Sequence, residues 1–212
     1  LAGSFDSPHL PDGSLASDAC AACHRSHAAT SPNLLAEPEP LSALCFTCHD
    51  GAGSDLDVKG QYTDPTVPDN DEATRSFYRH DVPVTGTSDR QAACGDCHNS
   101  HNATAAASIH TTTGWTVSGR QASIPGVSVA NGGPGDAPTY TLRTGTAGSQ
   151  PTREYELCFT CHSGWTTLPS NAGQPPSRQA LDKGIEFNPA NASYHPIEAA
   201  GTNGTPAMAI SL

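Results

Sequence analysis

The sequence predicts a mostly irregular, loop-rich fold with short helices, a few short strands and a core that side chains alone do not fill. Only 35% of the 212 residues are apolar and 6% are aromatic, whereas 20 are glycine and 18 are proline. That is too little apolar mass for an ordinary core in a chain of this length. All eight cysteines fall in four Cys-x-x-Cys pairs, and histidine follows each pair directly. We therefore expect a bound group to supply the missing apolar mass.

The four Cys-x-x-Cys-His motifs indicate covalent attachment of c-type haem, with a short helix at each motif. On a helical turn, residues i and i+3 share a face, so two thiols reach the two vinyl groups along one porphyrin edge. The next residue, histidine, then becomes the proximal ligand of the iron. The predicted attachment residues are Cys20, Cys23, Cys45, Cys48, Cys94, Cys97, Cys158 and Cys161, and the predicted proximal ligands are His24, His49, His98 and His162. The sequence thus predicts four c-type haems that form the core.

Two other interpretations of the cysteines have to be weighed. Four disulfides would suit a lysine-poor exported chain, and zinc ribbons also use paired Cys-x-x-Cys segments. Neither needs a histidine after every pair. With 10 histidines among 212 residues, chance gives that pattern with a probability on the order of a few in a million, so haem attachment is favoured.

Charge and hydropathy exclude several classes of partner. The chain has 21 acidic and 10 basic residues, and Lys59 and Lys183 are its two lysines. Such a balance argues against binding nucleic acid or an anionic membrane surface. No apolar run reaches the length of a membrane span, and we expect the chain, which begins at Leu1, to be a mature, processed form.

An internal repeat organises the elements along the chain. The segment "LCFTCH" occurs at 44–49 and again at 157–162, and "ACAACHRSHAAT" at 19–30 aligns without a gap on "ACGDCHNSHNAT" at 93–104. We predict a first dihaem unit at 1–58, a linker at 59–75, a second dihaem unit at 76–170 and a loop-rich tail at 171–212.

The second dihaem unit contains a long spacer, in which we predict an inserted hairpin at about 103–150. The segments "GWTVSGRQ", from Gly114, and "TYTLRT", from Thr139, alternate in the way that short strands do. Turn-forming residues fill "NGGPGDAP" between them. We expect a small surface hairpin without chemistry of its own.

Histidines outside the motifs supply candidates for the second, distal ligand of each iron. These candidates are His9, His27, His80, His101 and His195, whereas His110 matches nothing in the first repeat and is expected to be solvated. His27 and His101 each follow a proximal histidine by three residues, on the same face of one turn. Each should therefore bind a haem other than its neighbour's. The lone methionine, Met208, is not expected to be a ligand.

The order of the repeat leaves the roles of the terminal histidines open. If a leading histidine serves the haem downstream, His9 and His80 fill two positions and His195 is spare. If it serves the haem upstream, His80 and His195 fill them. His9 could then reach only a neighbouring molecule.

The pattern Cys-x-x-Cys-His-x-x-His followed by Leu-Cys-x-x-Cys-His-x-Gly resembles the doubled-motif multihaem c-type cytochromes, over most of 9–198. Haem number, size and the histidines at both ends are also similar to filament-forming extracellular tetrahaem cytochromes of the OmcE type. The resemblance implies electron transfer without enzymatic catalysis, and self-association in which His9 or His195 ligates a haem of the next subunit. It further implies a secreted or cell-surface protein that meets redox partner proteins or extracellular electron acceptors.

Other functions remain open at the level of the sequence. A monomeric periplasmic shuttle would carry the same four haems, and a multihaem reductase would need one iron with an open position. A surface-coat protein could use haem only as a cross-link. Three Asn-x-Ser/Thr segments, at Asn102, Asn191 and Asn203, are compatible with glycosylation.

Overall fold

A computed structural model describes residues 9, 19–38, 41–54, 57–63, 80, 92–166 and 182–201. The chain divides into two compact units, an N-terminal unit of residues 1–101 and a C-terminal unit of residues 102–212. Three of the four motifs belong to the N-terminal unit. The two dihaem units expected from the repeat, with the linker at 59–75, stay a prediction, because most of that linker lies outside the described residues.

The described part of the N-terminal unit is built from short helices joined by turns. These are α1 (Ala19–Cys23), α2 (Leu41–Cys45), α3 (Val58–Thr63) and α4 (Cys94–Cys97), with a 3-10 turn at Pro32–Leu34. Helices α2 and α4 pack together. Gly95 lies at this contact, where a Cβ would come 2.7 Å from Leu41 Cδ2. Two motifs are thereby brought side by side.

A folded-back loop supports the first motif. The backbone of Arg25 donates to Leu34 at 2.7 Å, and that of Ala36 donates to Cys23 at 2.8 Å. His24 and Leu35 form an antiparallel bridge between the two sides of the loop. The chain therefore leaves α1 in an extended conformation instead of continuing the helix.

The C-terminal unit combines two hairpins with two helices. Its elements are β1 (His110–Thr111), β2 (Gly114–Trp115), β3 (Gly126–Ala130), β4 (Thr139–Arg143), α5 (Glu154–His162) and α6 (Lys183–Phe187). β1 pairs with β2 and β3 with β4, both antiparallel, with Val127 opposite Leu142. Strand β3 packs on α5. The buried apolar residues of this unit are Ala103, Ile124, Val127, Leu157 and Phe159.

The larger hairpin begins later than the sequence suggested. The prediction of a strand over "GWTVSGRQ" is wrong beyond Trp115, because Gly119–Gln121 form a 3-10 turn in which the Ser118 hydroxyl donates to Gln121 Oε1 at 3.0 Å. The first strand is Gly126–Ala130 instead. Its β-branched Val127 and Val129 suit a pleated strand. The second strand and the turn-rich connection lie where they were expected.

This hairpin is also more than a surface feature. Val127 is completely buried, and β3 packs against α5, the helix that carries the fourth motif. A Cβ on Gly126 would lie 2.8 Å from Pro151 Cγ and 3.1 Å from the carbonyl oxygen of Glu156. The hairpin therefore positions the fourth motif.

The loop-rich tail contains one helix that the sequence did not predict. Helix α6 begins at Lys183, where the Asp182 carboxylate accepts a hydrogen bond from the Gly184 amide at 3.0 Å. The ring of Phe187 stacks on that of Phe159, with centroids 6.1 Å apart. The tail is thus attached to α5. Among the helices of the described ranges, none is long and apolar enough to span a membrane.

Candidate haem sites

Each motif begins with a helical turn. In three motifs the proximal histidine's backbone N–H donates to the carbonyl oxygen of the first cysteine: His24 to Cys20 at 2.8 Å, His49 to Cys45 at 2.9 Å and His98 to Cys94 at 2.9 Å. In the fourth motif, α5 runs through all five residues. The two cysteines of a motif are three residues apart, so this turn directs both thiols to one side.

The two "LCFTCH" segments share a hydrogen bond and a buried ring. The hydroxyl of Thr47 donates to the carbonyl of Leu44 at 2.7 Å, and that of Thr160 donates to Leu157 at 2.6 Å. The phenylalanines between the cysteines, Phe46 and Phe159, are both buried. Three of the four flanking cysteines are exposed: Cys48, Cys158 and Cys161. The phenylalanine side of each segment anchors it, and the cysteine side is left accessible to a porphyrin.

The glycines two residues after these segments serve different purposes. Gly51 has φ of 85°, the left-handed conformation that glycine adopts most readily after a helical turn. Gly164 instead allows a close approach, since a Cβ there would lie 2.6 Å from Asp182 Oδ2. The two glycines thus occupy the same position in the repeat but have different structural roles.

Helices α1 and α4 end before His24 and His98, which corrects the expectation that His27 and His101 share a helix face with these two residues. Helix α1 ends at Cys23, and His98 has φ of −129° and ψ of 129° after α4. His24 and His27 therefore do not share a face of one helix. His101 is still not expected to bind the haem of His98, but for another reason. Its ring lies beside that of His24, which belongs to a different motif.

Two pairs of imidazole rings come together in the N-terminal unit. The ring centroids of His24 and His101 are 6.1 Å apart with planes at 25°, and those of His9 and His49 are 5.9 Å apart with planes at 65°. In each pair, one histidine is a predicted proximal ligand and the other is a predicted distal candidate. Each pair also joins segments that are distant in sequence.

Backbone carbonyl groups orient one ring of each pair. His24 Nδ1 lies 2.9 Å from the carbonyl oxygen of Asn33, which can only accept, so a neutral ring carries its proton on Nδ1 and leaves Nε2 with a lone pair. The His9 ring makes a similar bond to the backbone of Ser100. Burial, and secondarily the neighbouring His49, lowers the pKa of His9. Each of these two rings therefore keeps its other nitrogen available to a metal ion.

The remaining histidine candidates lie elsewhere. His27 and His80 are exposed, within the N-terminal unit. In the C-terminal unit His195 is exposed, with its ring edge-on to Phe187 at 6.0 Å, and His110 lies 4.9 Å from Trp115. Met208 lies outside the described residues.

Thiols of different motifs also meet in the N-terminal unit. None of the eight cysteines forms a disulfide, and Cys45 is hydrogen-bonded to Cys94. This bond raises the pKa of Cys45, and it lowers the pKa of Cys94 to about 6. The Cys94 thiol also lies 3.7 Å from the Ser42 hydroxyl. Within the described ranges, no group of three or more His, Cys, Asp or Glu side chains is arranged to hold a metal ion.

Comparison with known proteins identifies the same motifs. Residues 13–54 match the doubled CXXCH motif family, a segment that contains the first two motifs and His27. The match supports a multihaem c-type cytochrome. Cytochromes of this class carry covalently bound haem, transfer electrons and are exported. No curated protein and no solved structure matches this chain significantly.

The residues present fit c-type haem. The donors that such a group requires are paired thiols on one side of a helical turn, a histidine directly after them and a second imidazole near that histidine, and the first two motifs have all three. Sequence reasoning found these residues from their spacing. It missed three residues that contact the histidines and cysteines, namely Asn33, Ser42 and Ser100. Of these, only Ser42 could have been found from the sequence, because it lies three residues before Cys45 on the same helix face.

The sequons are not equivalent in the structure. Asn102 is exposed, in a turn. Both polar atoms of the Asn191 side-chain amide are hydrogen-bonded. Its nitrogen donates to the carbonyl oxygen of Ile185 at 2.7 Å, and its oxygen accepts from the backbone N–H of Gly135 at 2.8 Å. Asn203 lies outside the described residues. Of the two described sites, Asn102 is the more accessible to a glycan.

Proposed function

We propose that this protein is a tetrahaem c-type cytochrome with bis-histidine ligation, which transfers electrons as a subunit of an extracellular filament. The observation that carries the proposal is the meeting of motifs in the N-terminal unit, where the His24 ring lies 6.1 Å from His101 and the Cys45 thiol contacts Cys94. Haems attached to motifs in such contact have edges close together, as electron tunnelling requires.

The chain's residues keep the ligation fixed. Bound haem supplies a reversible one-electron couple at its iron. The imidazoles of His24 and His9 are held by backbone carbonyl groups, so neither has to move when the charge changes. We assign no substrate chemistry, and therefore no enzymatic activity, to the protein.

The number of histidines supports a filament subunit over a reductase, which would need an iron without a second protein ligand. Six histidines lie outside the motifs for four irons, and the exposed His195 is the proposed ligand for a haem of a neighbouring subunit. The proposed partners are copies of the same chain, redox proteins and extracellular electron acceptors. The four motifs, which resemble those of tetrahaem filament cytochromes, support the same proposal.

Three measurements on the purified protein test the proposal. Intact-mass spectrometry should give four haems per chain, and film voltammetry should give reversible waves. Negative-stain microscopy should show filaments, whereas monodisperse particles would support a periplasmic shuttle instead. Carbon monoxide should leave the spectrum of the reduced protein unchanged, since a shift would reveal an open iron and favour a reductase.

A further inference from the structure

The spacing of the two imidazole pairs matches that of ligands on a shared metal atom. With metal–nitrogen bonds of about 2.0 Å and roughly 1.1 Å from each nitrogen to its ring centroid, two axial imidazoles have centroids about 6 Å apart. The observed separations are 6.1 Å for His24 and His101 and 5.9 Å for His9 and His49. Rotation about the metal–nitrogen bonds permits any angle between the rings, so planes at 25° and 65° both fit.

We propose that His24 and His101 are the axial ligands of the haem on Cys20 and Cys23, and that His49 and His9 are those of the haem on Cys45 and Cys48. This assignment rests on the proposed haem protein and adds which distal histidine serves which iron.

The residues that make up the two pairs support the assignment in addition to the distances. A separation of 6.0 Å also occurs between Phe187 and His195, so distance alone does not identify a ligand pair. Each of the two histidine pairs, however, contains exactly one residue that follows a Cys-x-x-Cys pair. Each pair also has one ring bonded to a backbone carbonyl, which leaves its other nitrogen for a metal.

The assignment resolves the direction of the leading histidine. His9 serves a motif downstream in its own chain, not the nearest one but the second, so it is not the donor to a neighbouring molecule. His101 ties the third motif to the first, because it lies only three positions after His98. The first and second haems are then fully ligated within residues 9–101.

Removing a distal ligand tests the assignment by spectroscopy. His9→Gly and His101→Gly should each convert one haem per chain from low spin to high spin in electron paramagnetic resonance, and each should create one carbon monoxide site. Added imidazole should restore the low-spin signal. His110→Gly, whose ring packs on Trp115, is the matched control and should change neither signal.

Deleting one haem shows which iron each histidine serves. In a Cys45→Ala/Cys48→Ala background, His9→Gly should open no further iron, whereas His101→Gly should still open one. In a Cys20→Ala/Cys23→Ala background, His101→Gly should open no further iron, whereas His9→Gly should still open one. A high-spin haem appearing with His9→Gly in the first background would overturn the His9 assignment, and the converse result would overturn that of His101.

A variant that loses haem altogether is still informative. Mass spectrometry of haem peptides would identify the empty motif, and loss at Cys45–Cys48 after His9→Gly supports the assignment, whereas loss at another motif contradicts it. His9→Met gives a further check, since a Met ligand should raise the potential of one haem. Haem count and voltammetry of the unsubstituted protein test the proposed function separately, so the two failures are distinguishable.

Discussion

Phe159 lies between the cysteines of the fourth motif and has no exposed surface. Its ring contacts Phe187 of α6 at 6.1 Å and Tyr155 at 5.6 Å. The residue therefore joins three features, namely the haem-attachment segment, the hairpin side of α5 and the tail. Its packing holds the attachment turn in place while the thiols on either side stay exposed.

We expect Phe159→Ala to lower the free energy of unfolding by about 3–5 kcal/mol, because it leaves a large cavity in the C-terminal unit. Urea denaturation followed by circular dichroism measures this change. Trp165→Ala is the control, since Trp165 is 44% exposed and surface changes usually stay within about 0.5 kcal/mol. Equal losses in the two variants would contradict the packing role.

Glu198 is a second residue, and its burial should make the stability of the protein depend on pH. It is 6% exposed, its Oε2 accepts from Asn131 at 2.6 Å, and its Oε1 has no partner in the part of the chain that the structure describes. Burial raises the pKa of this carboxyl, against the opposing effect of Asn131. The folded state therefore binds a proton more tightly than the unfolded state does.

The stabilising contribution of protonated Glu198 is present at low pH and is lost as the pH rises above the usual carboxyl pKa towards the raised one. We expect Glu198→Gln to stabilise the protein by about 1 kcal/mol at pH 7, the scale of one unsatisfied buried acceptor. The gain should shrink towards zero below pH 4. Thermal unfolding of both proteins across this range measures the effect, and a gain independent of pH would contradict it.

Individual ligands were predictable only where their spacing is short. The cysteines and proximal histidines follow from five-residue motifs. That His101 faces His24 does not follow, because it depends on how segments more than 70 residues apart pack together. Asn33 carried no signal, since its contribution is a backbone carbonyl that every residue has.

At the scale of elements, the C-terminal unit is organised around the contact between β3 and α5. Helix α5 is capped by Glu156, whose carboxylate accepts from the Arg153 amide at 2.9 Å. Val127 of β3 is completely buried against this unit's core. The hairpin thus acts as a platform, and the stability of the fourth attachment segment depends on it.

We expect Val127→Ala to cost about 2 kcal/mol and to speed hydrogen exchange of the α5 amides, because the lost methyl groups leave a cavity at the platform. Val129→Ala, at a partly exposed position in the same strand, is the matched control and should cost less than half as much. Exchange measured by mass spectrometry distinguishes the two. Unchanged protection of α5 in Val127→Ala would show that the helix does not depend on the hairpin.

The elements differ in how far the sequence predicts them. Strand β4 and the connection before it were predictable from alternation and turn residues. Strand β3 was missed because the segment before it, "GWTVSGRQ", alternates equally well but closes into a 3-10 turn. Helix α6 was missed because its start depends on a single capping residue, Asp182.

At the scale of the whole molecule, the described parts of the two units differ in how much apolar packing they contain. Among the described residues, the buried apolar side chains of the N-terminal unit are Leu44 and Phe46, whereas the C-terminal unit has five. Apolar burial is the main stabilising term in folding. The N-terminal unit, which carries three motifs, should therefore depend more on haem.

We expect the protein produced without haem attachment to keep protected amides in β3, β4 and α5 and to lose them at 42–49 and 94–98. The haem-loaded protein should be protected in both units. Hydrogen exchange of the two forms, with thiols kept reduced, measures the difference. Equal protection of the N-terminal unit in both forms would contradict a core made of haem.

The contact between Cys45 and Cys94 has a consequence for biogenesis. These thiols belong to different motifs and lie within hydrogen-bonding distance, and an exported chain meets an oxidising compartment before all its haems are attached. A disulfide between them would remove one sulfur from each of two motifs and so block two attachments with one bond. The packing that brings two haems close together therefore makes early attachment at either motif a safeguard for both.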